Sequence, residues 1–370
     1  MSSQDNVRGK ETALNIAEGV TSSHDGMRRT GRKVFRKSSG PLDIGALTAG
    51  ISSGDRLSLA KGITLLESTA AKDRPAGQEL LLSLLPKTGR SVRVGITGVP
   101  GVGKSTFIEA FGLMLTEAGH RVAVLAVDPS STVSGGSILG DKTRMELLAR
   151  EPKAFIRPSP SAGTLGGVHR KTRETMLLCE AAGYDVILVE TVGVGQSETA
   201  VREMTDFFLM LALTGAGDEL QGMKKGIMEL VDGVLVHKAD GGNERLAKKT
   251  VRDYRQLAHF LQPATPGWTT QALAVSSIEK TGLAETWAMI ESFRDQMQSA
   301  GYWTQRRQEQ TRSWFHSMIE DQLIHSFYET PGRKELVAAL EARVLADELT
   351  VAGAVKRVFS EDEGAPEENS

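Results

Sequence analysis

Apolar and polar positions along the chain follow two different periods. Between residues 43 and 85, "DIGALTAGISSGDRLSLAKGITLLEST" and "GQELLLSLLP" place apolar side chains three and four residues apart, which predicts two or three amphipathic helices. Pro86 and Gly89 interrupt that pattern. Beyond them, short runs dominated by valine, leucine and isoleucine predict strands: "SVRVGIT", "RVAVLAV", "AFIRP", "YDVILVE", "DFFLMLAL", "GVLVHK" and "ALAVS". Helical patterns lie between most of them: "KSTFIEAFGLMLTEAG", a stretch beginning near Asp141, "VHRKTRETMLLCEAAG", "ELQGMKKGIMEL" and "ERLAKKTVRDYRQLAHFL", with "GLAETWAMIESF" after the last strand. Strands without a polar face need cover on both sides, so the alternation predicts an α/β fold, a mostly parallel sheet with helices on both faces. After about residue 300 only helical patterns remain, in "QRRQEQTRSWFHSMIEDQLIHSF" and "GRKELVAALEARVLADELTVAGAVKRV".

The chain thus divides into five predicted segments. Residues 1–42 are polar and rich in Ser, Gly and Arg, too poor in apolar surface to order themselves. Residues 43–88 form an N-terminal helical segment, 89–300 the α/β domain, and 301–358 a C-terminal helical segment that can pack on the core or bury its apolar face in a second copy. Residues 359–370 form an acidic, disordered tail.

Composition narrows the partners. The 44 basic and 46 acidic residues leave a formal charge of -2, which supplies no overall attraction to nucleic acid or to an anionic membrane. The single cysteine, Cys179, excludes an intramolecular disulfide framework and a cysteine-rich metal site; its apolar helical neighbours predict a buried small hydrophobe. No apolar stretch reaches membrane-spanning length, the first residues lack the apolar centre of a secretory signal, and Asp5, Glu11, Glu18 and Asp25 argue against an acid-poor transit peptide. A cytoplasmic location is expected.

The chemistry begins after the first strand, where "GITGVPGVGKST" satisfies G-x-x-x-x-G-K-[ST] through Gly98, Gly103, Lys104 and Ser105. Such a loop closes backbone N–H groups around phosphates, its lysine reaches the β- and γ-phosphates, and its serine hydroxyl ligates Mg²⁺. Gly98, Gly101, Val102, Gly103, Lys104, Ser105 and Thr106 are therefore the candidate phosphate contacts, and the fold is expected to be that of a P-loop NTPase with N- and C-terminal helical extensions. Carboxylates for the metal are expected at neighbouring strand ends. Asp128 ends the second strand, Asp141 lies in "GGSILGDKTRM", and Glu190 ends the fourth strand in "VILVETVGVGQSE". Gly193 sits where a backbone N–H can meet a γ-phosphate, and Arg144, close behind Asp141, can stabilise charge in phosphoryl transfer. No glutamine directly follows Gly193, Gln196 lying three residues on, which predicts slow intrinsic hydrolysis that a partner accelerates.

The strand "VDGVLVHKAD" ends abruptly in His237, Lys238 and Asp240. An aspartate carboxylate can accept both the N1–H and the N2–H₂ of guanine, which adenine cannot offer, so Asp240 selects GTP while the methylene stem of Lys238 lies along the base. Ser276 or Ser277, after the last strand, sits where a loop can hold guanine O6.

Together "GITGVPGVGKST", "VLAVDPSS", "GGSILGDKTRM", "RPSPSAGTLGGV", "DVILVETVGVGQSE", "GAGDELQGMKKGIMEL" and "KAD" resemble the MeaB-type GTPases, relatives of the methylmalonic aciduria type A protein, a family also labelled ArgK for a supposed arginine-transport kinase. The likeness runs from about 45 to 300. It implies a homodimeric GTPase, binding GTP/GDP and Mg²⁺, that chaperones an adenosylcobalamin-dependent acyl-CoA mutase, usually methylmalonyl-CoA mutase, by gating cofactor delivery and protecting the enzyme. By matching position, Lys104 and Ser105 hold phosphate and metal, Asp128, Asp141 and Glu190 serve the Mg²⁺ centre, Arg144 is catalytic, and Lys224 belongs to a switch that reports nucleotide state. His237 replaces the asparagine usual before K-x-D, which braces the base loop against the phosphate loop; an imidazole can still donate one hydrogen bond.

Three other classes compete. A small-molecule or protein kinase of the arginine-transport type would use the same cradle, but the guanine-reading aspartate and the lack of a separate acceptor pocket count against it. A metal-insertion chaperone needs Cys or His ligands, and His120, His169, His237 and the other histidines form no ligand-spaced cluster. A binding module without turnover would not need Lys104 and Glu190.

Overall fold

In the computed structural model residues 43–127, 145–158, 165–191, 197–215 and 225–360 are described. All seven strands that the apolar runs predict are present: β1 (Val92–Gly98), β2 (Val122–Val127), β3 (Ala154–Arg157), β4 (Val186–Thr191), β5 (Phe207–Leu213), β6 (Gly233–His237) and β7 (Gln271–Val275). They form one sheet in the order β3-β2-β4-β1-β5-β6-β7, and every pairing is parallel. β1 is central, with Ile96 beside Glu190 of β4 and Gly98 beside Leu211 of β5. Parallel strands release their loops on one edge, so the segments following β1, β4, β6 and β7 share a rim.

Each face of the sheet has its own core. Three N-terminal helices, α1 (Ile44–Ser52), α2 (Arg56–Glu67) and α3 (Arg74–Leu84), put Leu47, Ile51, Leu59, Ile63, Leu80 and Leu84 into one cluster with Ile187 and Phe208 of the sheet. Asp43 caps α1 by accepting the Ala46 N–H, and Asp55 caps α2 by accepting those of Leu57 and Ser58. The opposite face is covered by α4 (Lys104–Glu117), α5 (Glu146–Arg150) and α10 (Leu283–Ser299), whose Phe107, Phe111, Leu148, Trp287 and Phe293 pack on Val94, Ile96, Leu188 and Leu209. On the first face α6 (Leu165–Ala181) carries Leu178 and Cys179, both fully buried, and α9 (Glu244–Phe260) adds Val251 and Tyr254. Cys179 is therefore the small hydrophobe its neighbours predict, and burial pushes its thiol pKa far up.

Two short helices, α7 (Ser197–Arg202) and α8 (Lys225–Met228), complete this part. The first has no counterpart among the predicted helices, and the second is the described end of the predicted "ELQGMKKGIMEL" helix. The C-terminal part is α11 (Tyr302–Glu329), α12 (Arg333–Leu345) and α13 (Val351–Ser360). The pattern after Gly332 reads as one helical run, but the chain breaks it. Asp347 takes φ 58°, the N–H groups of Asp347 and Glu348 donate to Val344 and Arg343 carbonyls, and Leu340, Ala354 and Val358 then pack into a small core of their own. No described helix is long and apolar enough to cross a membrane. The predicted disordered extension, 1–42, and residues 361–370 of the tail predicted from 359 lie outside the described residues, while Phe359 and Ser360 are the last residues of α13.

Candidate functional site

The rim at the carboxyl ends of the strands gathers the phosphate loop after β1, Glu190 near the end of β4, and the loops after β6 and β7. Two glycines make the phosphate loop possible. Gly98 has φ 151°, and a Cβ there would lie 2.5 Å from the Leu211 carbonyl oxygen; Gly103, at φ 98°, would drive a Cβ to 2.8 Å from the His237 ring. Gly103 ends the loop, and α4 starts at Lys104, so its first N–H groups face the position an anion would take. Lys104 is buried, and its Nζ donates to the Gly98 carbonyl at 2.8 Å. Burial lowers the Lys104 pKa, while the charges of Glu190 and Glu198 act the other way. Ser105 is half-buried and Thr106 exposed beside it.

The base loop closes against this cradle. His237, 3% exposed at the end of β6, donates from Nδ1 to the Val102 carbonyl at 2.7 Å. Its Nε2 lies 2.6 Å from the Ser277 hydroxyl. Burial, the first cause, and the neighbouring Lys238 cation lower its pKa, against the opposing effects of the Val102 hydrogen bond and Asp240. Lys238 adopts φ 58°, a left-handed turn that brings its Nζ back to donate to the Gly101 carbonyl at 2.9 Å. Asp240 is half-buried and accepts a hydrogen bond from the Ser276 hydroxyl, which in turn accepts the Glu279 N–H at 3.1 Å. Both serines stand on the rim, where the Ser276 hydroxyl bonds to Asp240 and the Ser277 hydroxyl to His237.

The structure thus brings together Gly98, Gly101, Val102, Gly103, Lys104, Ser105, Thr106, Glu190, His237, Lys238, Asp240, Ser276 and Ser277. Asp128, Asp141, Arg144, Gly193 and Lys224 lie outside the described residues. Glu198, buried in the first turn of α7 and close enough for its charge to act on Lys104, was not among the predicted site residues. Its signal was the acid that closes the glycine-rich "VGVGQSE".

Comparison with known proteins agrees with this geometry. A family model described as "Methylmalonyl Co-A mutase-associated GTPase MeaB" matches residues 59–332. A protein of Caulobacter vibrioides is 52% identical over 86% of this chain and 98% of its own length. The GTPase ArgK of Escherichia coli is 47% identical over 74% of this chain and 83% of its length. A crystal structure titled LAO/AO transport system kinase superposes with a TM-score of 0.70 at 34% identity, covering 88% of this chain and 100% of that one.

Proposed function

The chain belongs to the MeaB family of GTPases, and from that premise we propose that its GTP hydrolysis sets the conformation in which it chaperones an adenosylcobalamin-dependent acyl-CoA mutase, most simply methylmalonyl-CoA mutase. One observation carries the reading: the phosphate loop and the loop that bears Asp240 are bonded to each other, through His237 to Val102 and Lys238 to Gly101, so one nucleotide can span both. The β- and γ-phosphates take the N–H groups of the loop from Gly98 to Thr106. Lys104 exchanges the Gly98 carbonyl for phosphate oxygens, an exchange made easy by a flexible stem and a single neutral acceptor. Asp240, held by Ser276, accepts N1–H and N2–H₂ of guanine. Catalysis is then positioning plus charge stabilisation, with Arg144 supplying positive charge and Gly193 and Lys224 reporting the γ-phosphate to the mutase.

The described donors suit Mg²⁺. Ser105 and Glu190 offer hard oxygen ligands, with no thiolate among them, and Asp128 and Asp141 complete the proposed set. When bound, the ion would neutralise charge on the β- and γ-phosphates.

We further place the chain in the cytoplasm as a homodimer that holds neither nucleic acid nor membrane. Phosphate release from GTP with no added acceptor separates hydrolysis from a kinase. Recovery of methylmalonyl-CoA mutase on the immobilised chain, compared between GTP and GDP, tests the chaperone role; equal recovery in both states, or none in either, removes it.

A further inference from the structure

His237 stands at a position where the ring's hydrogen-bonding capacity can be counted in full. The Val102 carbonyl only accepts, so Nδ1 carries the hydrogen. Nε2 of the neutral ring is then an acceptor, and the Ser277 hydroxyl donates to it. No N–H or lone pair in the ring plane is left over. The ring is also held in place: it lies against Gly103, where even one added carbon would stand 2.8 Å from it, and edge-on to Phe107, with centroids 6.2 Å apart and planes at 80°.

The bond to Val102 has a consequence on the far side of the peptide. A trans peptide is planar with its C=O and N–H opposed, so fixing the Val102 oxygen on the imidazole turns the Gly103 N–H away from the ring. A peptide flip that pointed a carbonyl into the cradle would repel phosphate, and it would first have to break this bond. The bond from Lys238 to Gly101 restrains the preceding carbonyl in the same way.

We propose that His237 is a positioning residue whose imidazole is wholly consumed in bracing the phosphate loop to the loops after β6 and β7, so that it donates nothing to purine N7 and reads no atom of the base. Specificity therefore falls on Asp240 and the backbone of the β7 loop, while His237 governs affinity for any nucleotide with phosphates. An asparagine at this position would behave differently. Its amide has one acceptor and two donors, enough to serve Ser277 and Val102 with one N–H to spare for the base.

This inference rests on the guanine-nucleotide reading above, and the test keeps the two apart. GTP and 7-deaza-GTP, in which N7 is replaced by C–H, are titrated against the wild-type chain, His237→Ala and His237→Asn. Binding of GTP by the wild type tests the reading; the ratio of the two affinities tests the inference. We expect the ratio to be the same within about twofold in wild type and His237→Ala, while both affinities fall about tenfold or more in the variant because a buried carbonyl and hydroxyl lose their partner. His237→Asn should recover most of the absolute affinity and raise the preference for GTP over 7-deaza-GTP. A wild-type preference for GTP that collapses in His237→Ala would show that the ring reads N7 and would overturn the proposal. Unchanged affinities in His237→Ala would overturn it as well. Should His237→Ala not fold, Ser277→Ala opens one end of the brace alone: a parallel loss of both nucleotides supports the proposal, and no loss refutes it.

Discussion

Three side chains on the rim have separable consequences. Lys104 is the buried cation of the phosphate loop, so Lys104→Ala should lower GTP hydrolysis by about 10²–10³-fold, read as phosphate release at saturating GTP; near-normal turnover would remove the assignment. Asp240→Asn keeps the size of the side chain but offers an N–H to the guanine donors. The preference for GTP over ATP should shrink by about 10–100-fold in competition titrations, and unchanged discrimination would place base recognition elsewhere. His237 links the site to pH. Its folded-state pKa is depressed, chiefly by burial, so below about 6.5 the unfolded chain takes up a proton that the folded chain resists. The stability tied to the neutral ring is thus present above that value and lost as pH falls through the folded-state pKa. The charged groups facing the ring, Lys238 and Asp240, sit on its own loop, and the phosphate and β7 loops present only a carbonyl and a hydroxyl. Thermal midpoints followed from pH 7.5 down to 5.5, an illustrative range about the usual imidazole pKa, should fall more steeply for the wild type than for His237→Asn.

Among the elements, α11 is tied to the amino end of the sheet, opposite the rim. Arg307 donates to both Asp206 oxygens at 2.8 and 2.6 Å and to the carbonyls of Gly89 and Ser91 at 2.6 Å each, while Trp303 stacks under its guanidinium. Asp206 is buried, so Arg307→Ala strands a carboxylate and should destabilise the fold by about 3–5 kcal/mol in urea titrations. Hydrolysis per folded molecule should survive, because the helix is anchored far from the phosphate loop. The sheet behind both was legible in the sequence for a physical reason: strands buried on two faces read as unbroken Val, Ile and Leu runs, and their order alternates with helices. The phosphate loop and K-x-D were legible because each chemistry is confined to one short stretch. What stayed hidden depends on distant partners. His237 reaches Val102 across 135 positions and Ser277 across 40, and no local pattern announces either bond. The break between α12 and α13 was hidden too, since the apolar spacing continues through Asp347 and only its left-handed φ interrupts the helix. Glu198 lay in a stretch whose glycines masked the short helix that buries it.

At the scale of the whole molecule, the C-terminal helices carry apolar surface that the described chain does not cover. Phe315, Ile319 and Leu323 lie four residues apart along α11 and are 62%, 41% and 63% exposed. Val351, Val355 and Phe359 repeat that spacing on α13 at 67%, 52% and 58%. Isolated exposed apolar side chains are ordinary, but three at helical spacing on one helix make an apolar strip, and burying each strip is favourable in proportion to its area. A second copy is the occupant that the proposed homodimer supplies, and a two-fold arrangement would present each stripe to its own equivalent or to its neighbour. The anchoring of α11 through Arg307 bears on what dimerisation can do. Arg307 holds α11 at the amino end of the sheet, and the α11 stripe starts eight residues further along the helix, so pairing through it need not involve the loops at the carboxyl ends of the strands. Phe315→Asp combined with Leu323→Asp places charges that a closed apolar interface cannot accommodate. Sedimentation of the double variant should then give the mass of one chain where the wild type gives two, with GTP affinity per chain unchanged within about twofold because neither side chain approaches the rim. A double variant that still sediments as two chains would put the interface on another surface, and one that loses GTP affinity would mean that the two nucleotide sites depend on each other through the dimer.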